Sequence, residues 1–254
     1  MSTPPQPSLL PGNYYHIYNR SNGSEVLFRE KSNFHRFLQL YDKYISPIAD
    51  TLAWVLMGNH FHVLIYIKEE MVYKYSKKNF GSSRQHPQSL MAKVRFDDVK
   101  WETMHAPQVN PTAFTGAVDV NKEHRVDHKK IPDPTRHFAH LCSSYTKYIN
   151  VKYNRHGSLF QRPFKRKMIE NETYLQRVIL YIHNNPVHHG FSGHPADYPW
   201  SSYHTLFSNR PTKLNRENVI DLFGGISGFQ TVHQEYSGMD YYDMDEWLHT
   251  DNKL

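Results

Sequence analysis

Two histidines, His60 and His62, stand one residue apart in MGNHFHVLIY (57–66), a stretch that otherwise reads as an apolar β-strand. Side chains two apart on a strand share a face, so the pair can bind a divalent metal. Hydrogen bonding inside the fold, or plain exposure, is the competing use of such a pair. Tyr181 and Asn185 lie four apart in NETYLQRVILYIHNNPV (171–187), which places them on one side of a helix. An Asn carbonyl is a hard oxygen donor suited to magnesium or manganese, and a tyrosine beside such a metal can act as a nucleophile. The structural alternative makes Tyr181 packing and Asn185 a helix-end cap ahead of Pro186. Lys152, Arg155, Arg162, Lys165, Arg166 and Lys167 crowd one short span, interleaved with Tyr153, Phe160 and Phe164. Cations neutralise phosphates and rings stack on unpaired bases; a solvated strand face is the plainer alternative.

The elements that must carry these residues follow from periodicity. NYYHIYNR (13–20) alternates as a first strand, and Phe34, Phe37, Leu38, Tyr41, Tyr44 and Ile45 form one helical stripe, with Ser32 as N-cap and Pro47 closing the segment. TLAWVLM and HFHVLIYI, separated by Gly58-Asn59, read as a tight hairpin whose return strand opens on the histidines. Residues 69 to 134 are polar, proline-containing and weakly periodic, an insertion read as partly mobile, with a short helix near 89–94. The pattern resumes with a helix over 136–150, a strand over 158–169 and a helix capped by Asn171 and ended by Pro186. Leu175, Val178, Ile179 and Ile182 form its sheet-facing stripe. The order strand, helix, strand, strand, helix, strand, helix predicts an α+β, ferredoxin-like antiparallel sheet (split βαβ) with helices on one face and one further, catalytic helix. The expected organisation is a flexible tail over 1–12, a core domain over 13–205 interrupted by the insertion, and a C-terminal appendage over 206–254.

Composition narrows the partners. The net charge of +6, with 18 histidines in reserve, favours anionic partners, nucleic acid above all. The single cysteine, Cys142, excludes an internal disulfide and a cysteine-based zinc site. No run approaches the ~18 apolar residues of a membrane helix, and the N-terminus lacks a signal-peptide layout, so the expected compartment is the cytoplasm.

In combination the segments resemble a family. LMGNHFHVLIY is similar to the hydrophobic-MPNHFHLL signature of HUH-type single-tyrosine transposases, specifically the REP-associated tyrosine transposases. YIHNNPVHHG resembles their Tyr-x-x-x-Asn-Pro-Val segment. YNRHGSLFQRPFKRKMI, YYHIYNR and DYPWSSY agree in order, over about 13–68 and 135–205. Gly58 replaces the family's usual proline, and the long insertion is a departure that bears on DNA access. The resemblance implies that His60, His62 and Asn185 hold Mg²⁺ or Mn²⁺ and that Tyr181 is the nucleophile; Tyr145, Tyr148 and Tyr174 are rivals outside the matching motif. It further implies cleavage and rejoining of single-stranded DNA near hairpins through a 5′-phosphotyrosine, with Arg155, Arg162, Lys165, Arg166 and Lys167 on the DNA, in a monomer or homodimer away from membranes. The alternatives are a domesticated, inactive hairpin-binding protein and a metal-dependent hydrolase using water.

Overall fold

The computed structural model describes residues 8–76, 99–103, 127–236 and 238–249. The chain divides into two compact units, Met1–Lys68 with Pro134–Leu254, and Glu69–Asp133.

In the larger unit, alternation produces strand β1 (Tyr14–Arg20), with Tyr15 and Ile17 buried on one side and His16 on the other. Helix α1 (Lys31–Tyr44) follows. Its N-cap is Glu30 rather than Ser32; the Ser32 hydroxyl donates to the Glu30 carboxylate, and Asn33 Oδ1 accepts from the backbone N–H groups of Arg29 and Glu30. Strands β2 (Ala49–Met57) and β3 (His60–Ile67) form the expected hairpin, with Met57 opposite His60 across Gly58-Asn59. In the smaller unit, β4 (Met71–Ser76), β5 (Lys100–Thr103) and β6 (Asp127–Lys130) form an antiparallel sheet in the order β5-β4-β6, where the sequence showed too little periodicity to indicate strands. The helix expected near 89–94 lies outside the described residues.

Helix α2 (Pro134–Lys152) and strand β7 (Lys165–Ile169) resume the larger unit. The strand is shorter than the expected 158–169: Pro163 has no N–H to give a ladder, and upstream only Phe160 bridges, to Ser21. Helix α3 (Glu172–His188) is capped by Asn171, whose side chain accepts from the Tyr174 N–H. It runs two residues past Pro186, where it was expected to end. The lost backbone bond falls in the last turn, and the neighbouring Asn184 and Asn185 amides donate to the Leu180 and Tyr181 carbonyls.

The main sheet is antiparallel in the order β2-β3-β1-β7, the ferredoxin-like arrangement. Helices α1 and α2 cover one face, where Phe37 and Tyr145 pack within 5.2 Å of each other and Phe37 meets Phe61 of β3 at 5.0 Å. Helix α3 covers the other face. It is joined there by the short helices α4 (Tyr203–Phe207), α5 (Arg216–Leu222), α6 (Ile226–Glu235) and α7 (Gly238–His249), whose residues enter one core with Val55, Leu64 and Val178. Residues 8–12, in the stretch expected as a tail, are docked: Leu9 is buried and the Gly12 N–H donates to Ile67 O. Residues 1–7 lie outside the described ones.

The Trp-Ser-Ser-Tyr segment closes the outer edge of β2. Leu56 N–H donates to Trp200 O, Ser202 N–H to Trp54 O, and Trp54 N–H to Ser202 Oγ. From there a buried polar chain crosses the core: Ser202 Oγ meets His183 Nε2 at 2.8 Å, His183 Nδ1 meets His233 Nε2 at 3.0 Å, and His233 Nδ1 reaches Phe229 O at 2.8 Å. Each link is satisfied when both histidines are neutral. Burial lowers both, His233 to about 4 and His183 well below its ordinary value. Among the described residues, no helix is long and apolar enough to cross a membrane.

Candidate active site

The register of β1 against β3 sets Tyr18 opposite His62 and Arg20 opposite His60. Cross-strand partners share a face, so His16, Tyr18, His60 and His62 all stand on the side that α3 covers. The His60 and His62 rings lie 5.2 Å apart, close to perpendicular. Each has one nitrogen engaged: His60 Nδ1 meets Asn59 Oδ1 at 2.7 Å, and His62 Nδ1 meets His16 Nε2 at 3.0 Å. Nδ1 is thus engaged on both rings. His16 also stacks on His62 at 5.1 Å and 8°, so the orientation of that imidazole is fixed by a buried neighbour.

Helix α3 lays Tyr181 and Asn185 over this face. The Tyr181 ring stands edge-on to His62 at 5.5 Å and to His16 at 6.0 Å. Both Tyr181 and Asn185 are buried. Asn185 donates Nδ2 to the Tyr181 carbonyl, and its Oδ1 is buried without a hydrogen-bond partner of normal geometry. That oxygen's side chain lies against His60, where it favours the protonated ring, but burial dominates and, with His189, brings His60 down to about 4. Two imidazoles with a buried amide oxygen beside them fit a hard or borderline divalent cation.

The tyrosine hydroxyl is not free. Tyr181 Oη donates to Asp245 Oδ1 of α7 at 2.7 Å, and its ring stacks on Tyr241 at 4.8 Å. Burial, then Tyr241 and the Asp245 carboxylate, push the Tyr181 phenol well above its ordinary value. His189 completes the rim, its ring 5.0 Å from that of His60. A cleft of about 850 Å³ opens onto this group, lined by His60, His62, Tyr181, His189, Asp245 and Lys165 among others. His16, Tyr18, His189, Tyr241 and Asp245 were not singled out from sequence. Alternation along β1 could have placed His16 and Tyr18 beside the histidines; nothing local marks Asp245, which sits in an acidic stretch 64 residues from Tyr181.

The basic residues divide. Lys165 and Lys167 pair with Tyr18 and His16 across β1 and β7, so both stand on the site face, and Lys165 lines the cleft. Arg162 is exposed on the approach to β7. Arg166, opposite Ile17, is turned to the other face, with its guanidinium 5.2 Å over the Phe164 ring. Arg155 is held by Glu25 at 2.9 Å and Asn150 at 2.6 Å, a fastening of the loop after α2. Of the rival tyrosines, Tyr145 donates to Leu27 O beneath the opposite face, and Tyr148 joins Lys152 and Asn33. Tyr174 lies about two turns before Tyr181 on α3.

No family model matches the chain. A curated protein of Haemophilus influenzae (strain ATCC 51907 / DSM 11121 / KW20 / Rd), provisionally named a REP-associated tyrosine transposase, is 33% identical over 70 residues. That match, to a relative of the kind the motifs resemble, covers 28% of this chain and spans 39% of the relative's length. The solved structure of a REP-associated tyrosine transposase bound to a REP hairpin aligns over 83% of this chain and 89% of its own, at 13% identity and a TM-score of 0.46.

Proposed function

We propose that this protein is a single-tyrosine DNA strand transferase of the REP-associated kind, cutting and rejoining single-stranded DNA beside hairpins. The observation that carries the reading is a tyrosine edge-on to His62 at 5.5 Å, both lining one cleft with His60, and a buried Asn185 Oδ1 against His60. His60, His62 and Asn185 would hold Mg²⁺ or Mn²⁺, which when bound supplies polarisation of a phosphate oxygen and an offset to transition-state charge.

The rest is done by the chain. Lys165 and Lys167 on the site face, with Arg162 at its approach, draw the phosphate backbone across the sheet. Tyr181 Oη attacks the scissile phosphorus, a 5′-phosphotyrosine forms and a 3′-hydroxyl departs. Rejoining by another 3′-hydroxyl reverses the step, and the covalent link conserves the bond energy. His16 keeps the His62 ring in place, and the depressed basicity of His60 keeps it a neutral ligand.

Incubation with labelled hairpin DNA and Mn²⁺ should give a denaturation-resistant protein–DNA adduct that Tyr181→Phe abolishes. An adduct from that variant would end the assignment. The burial of Tyr181, 1% exposed, favours one rival, an inactive hairpin-binding protein; it would bind hairpins tightly and give no adduct from the unaltered chain. A hydrolase using water would tolerate Tyr181→Phe and release a free 5′-phosphate.

A further inference from the structure

The geometry points to Asp245 as the general base of the tyrosine attack, a catalytic residue supplied by the C-terminal helix α7. The inference rests on the strand-transfer reading above. A phenol is protonated near neutral pH and is a poor nucleophile while it keeps its proton. The proton must therefore leave as the new bond forms, to an acceptor already in hydrogen-bond reach of the oxygen. Asp245 Oδ1 accepts from Tyr181 Oη at 2.7 Å. The carboxylate is half-buried and lines the same cleft as Tyr181, His60 and Lys165. Tyr241, one turn earlier on α7, stacks on the Tyr181 ring at 4.8 Å and fixes the phenol against its acceptor.

The step balances. As the Oη–P bond forms and the P–O3′ bond breaks, the Oη proton passes to Asp245 Oδ1, and water in the open cleft protonates the departing 3′ oxygen. In rejoining, a 3′-hydroxyl attacks phosphorus and yields its proton to water, while Asp245 returns the held proton to the phenolate oxygen as the Oη–P bond breaks.

The test is single-turnover adduct formation by the full chain, on labelled hairpin DNA with Mn²⁺, for Asp245→Asn and Asp245→Ala. Mn²⁺ affinity by electron paramagnetic resonance, hairpin affinity and melting temperature are measured alongside. The expected result is a rate lower by at least about 10²-fold in both variants, with the affinities unchanged in both and the melting temperature unchanged in Asp245→Asn. Installing tetrafluorotyrosine at position 181, whose phenol is ionised at neutral pH, should restore most of the rate to Asp245→Asn while adding little to the parent. A rate unchanged or raised in the variants would overturn the inference; a rise would mean that the contact restrains the tyrosine instead. So would a rate loss that follows hairpin affinity or melting temperature, or that the acidic phenol fails to rescue. Should Asp245→Asn not fold, Asp245→Ala with the same phenol replacement decides the matter. An adduct from Tyr181→Phe would sink the underlying reading, whereas a dead Tyr181→Phe with a fully active Asp245→Asn sinks the base alone.

Discussion

At the residue scale, the site is a set of hydrogen bonds that each fix one side chain. Asn59 and His16 each meet the Nδ1 of one imidazole, and the Tyr181 carbonyl accepts from the Asn185 amide nitrogen, so each of these side chains is held in one orientation. Replacing Asn185 by Ala removes the oxygen and should weaken Mn²⁺ binding. His16→Leu removes the buried partner of His62, so that ring loses its Nδ1 contact. The expected cost is about 10- to 100-fold in Mn²⁺ affinity, read by calorimetry, with the fold retained by circular dichroism. Equal affinity in His16→Leu and the parent would show that the pairing does not prepare the ligand.

At the element scale, the seam between β2 and the segment after α3 holds the second layer in register. Ser202 is its pivot, serving the Trp54 N–H and His183 at once. Ser202→Ala leaves both without their partner inside the core and should lower stability by about 1–3 kcal/mol, measured by chemical denaturation. Adduct chemistry below the melting transition should be retained, because Ser202 does not reach the cleft. Much of this layout was legible in the sequence, and for a physical reason. The hairpin around Gly58-Asn59, the alternation of β1 and the stripe of α3 are local periodicities, and local periodicity fixes which residues share a face. His60 with His62 and Tyr181 with Asn185 were found that way. Long-range pairings leave no such trace: His16 with His62, Asp245 with Tyr181, and the strand-like addition of Ser201 to β2 at Val55. The same limit explains Arg155, whose charge suggested DNA but whose partner Glu25 is 130 positions away. Pro186 misled because a proline in a final turn removes a bond the helix can do without, and the adjacent asparagines tie that turn down.

At the scale of the whole molecule, charge and acid sensitivity are the observables. His233 and His183 are neutral in the core and must be so for their chain of bonds to hold. Their folded-state basicity is depressed, so below about pH 6.5 the unfolded chain binds protons that the native one refuses. Stability is then full above that pH and falls as pH drops toward about 4, where His233 itself titrates. The loss traced to His233 alone is about 3 kcal/mol, and urea midpoints across this range should fall steadily; a flat profile would contradict the buried neutral relay. Binding to single-stranded DNA should weaken with salt, and Lys165→Ala should reduce the slope of log K against log salt by about 0.7. Arg155→Ala should instead leave the slope alone and lower the melting temperature.

Strand β7 ends the main sheet, with β1 on one flank and no strand of the described residues on the other. An edge strand can invite a second chain to continue the ladder, the first step of runaway self-assembly. Lys165, Arg166 and Lys167 stand on that flank, so like charges would meet wherever two such edges approached. The residues that attract a polyanion therefore also police the protein's own solubility, and their neutralisation, whether by substitution or by masking with bound acid groups, would expose a latent tendency to polymerise.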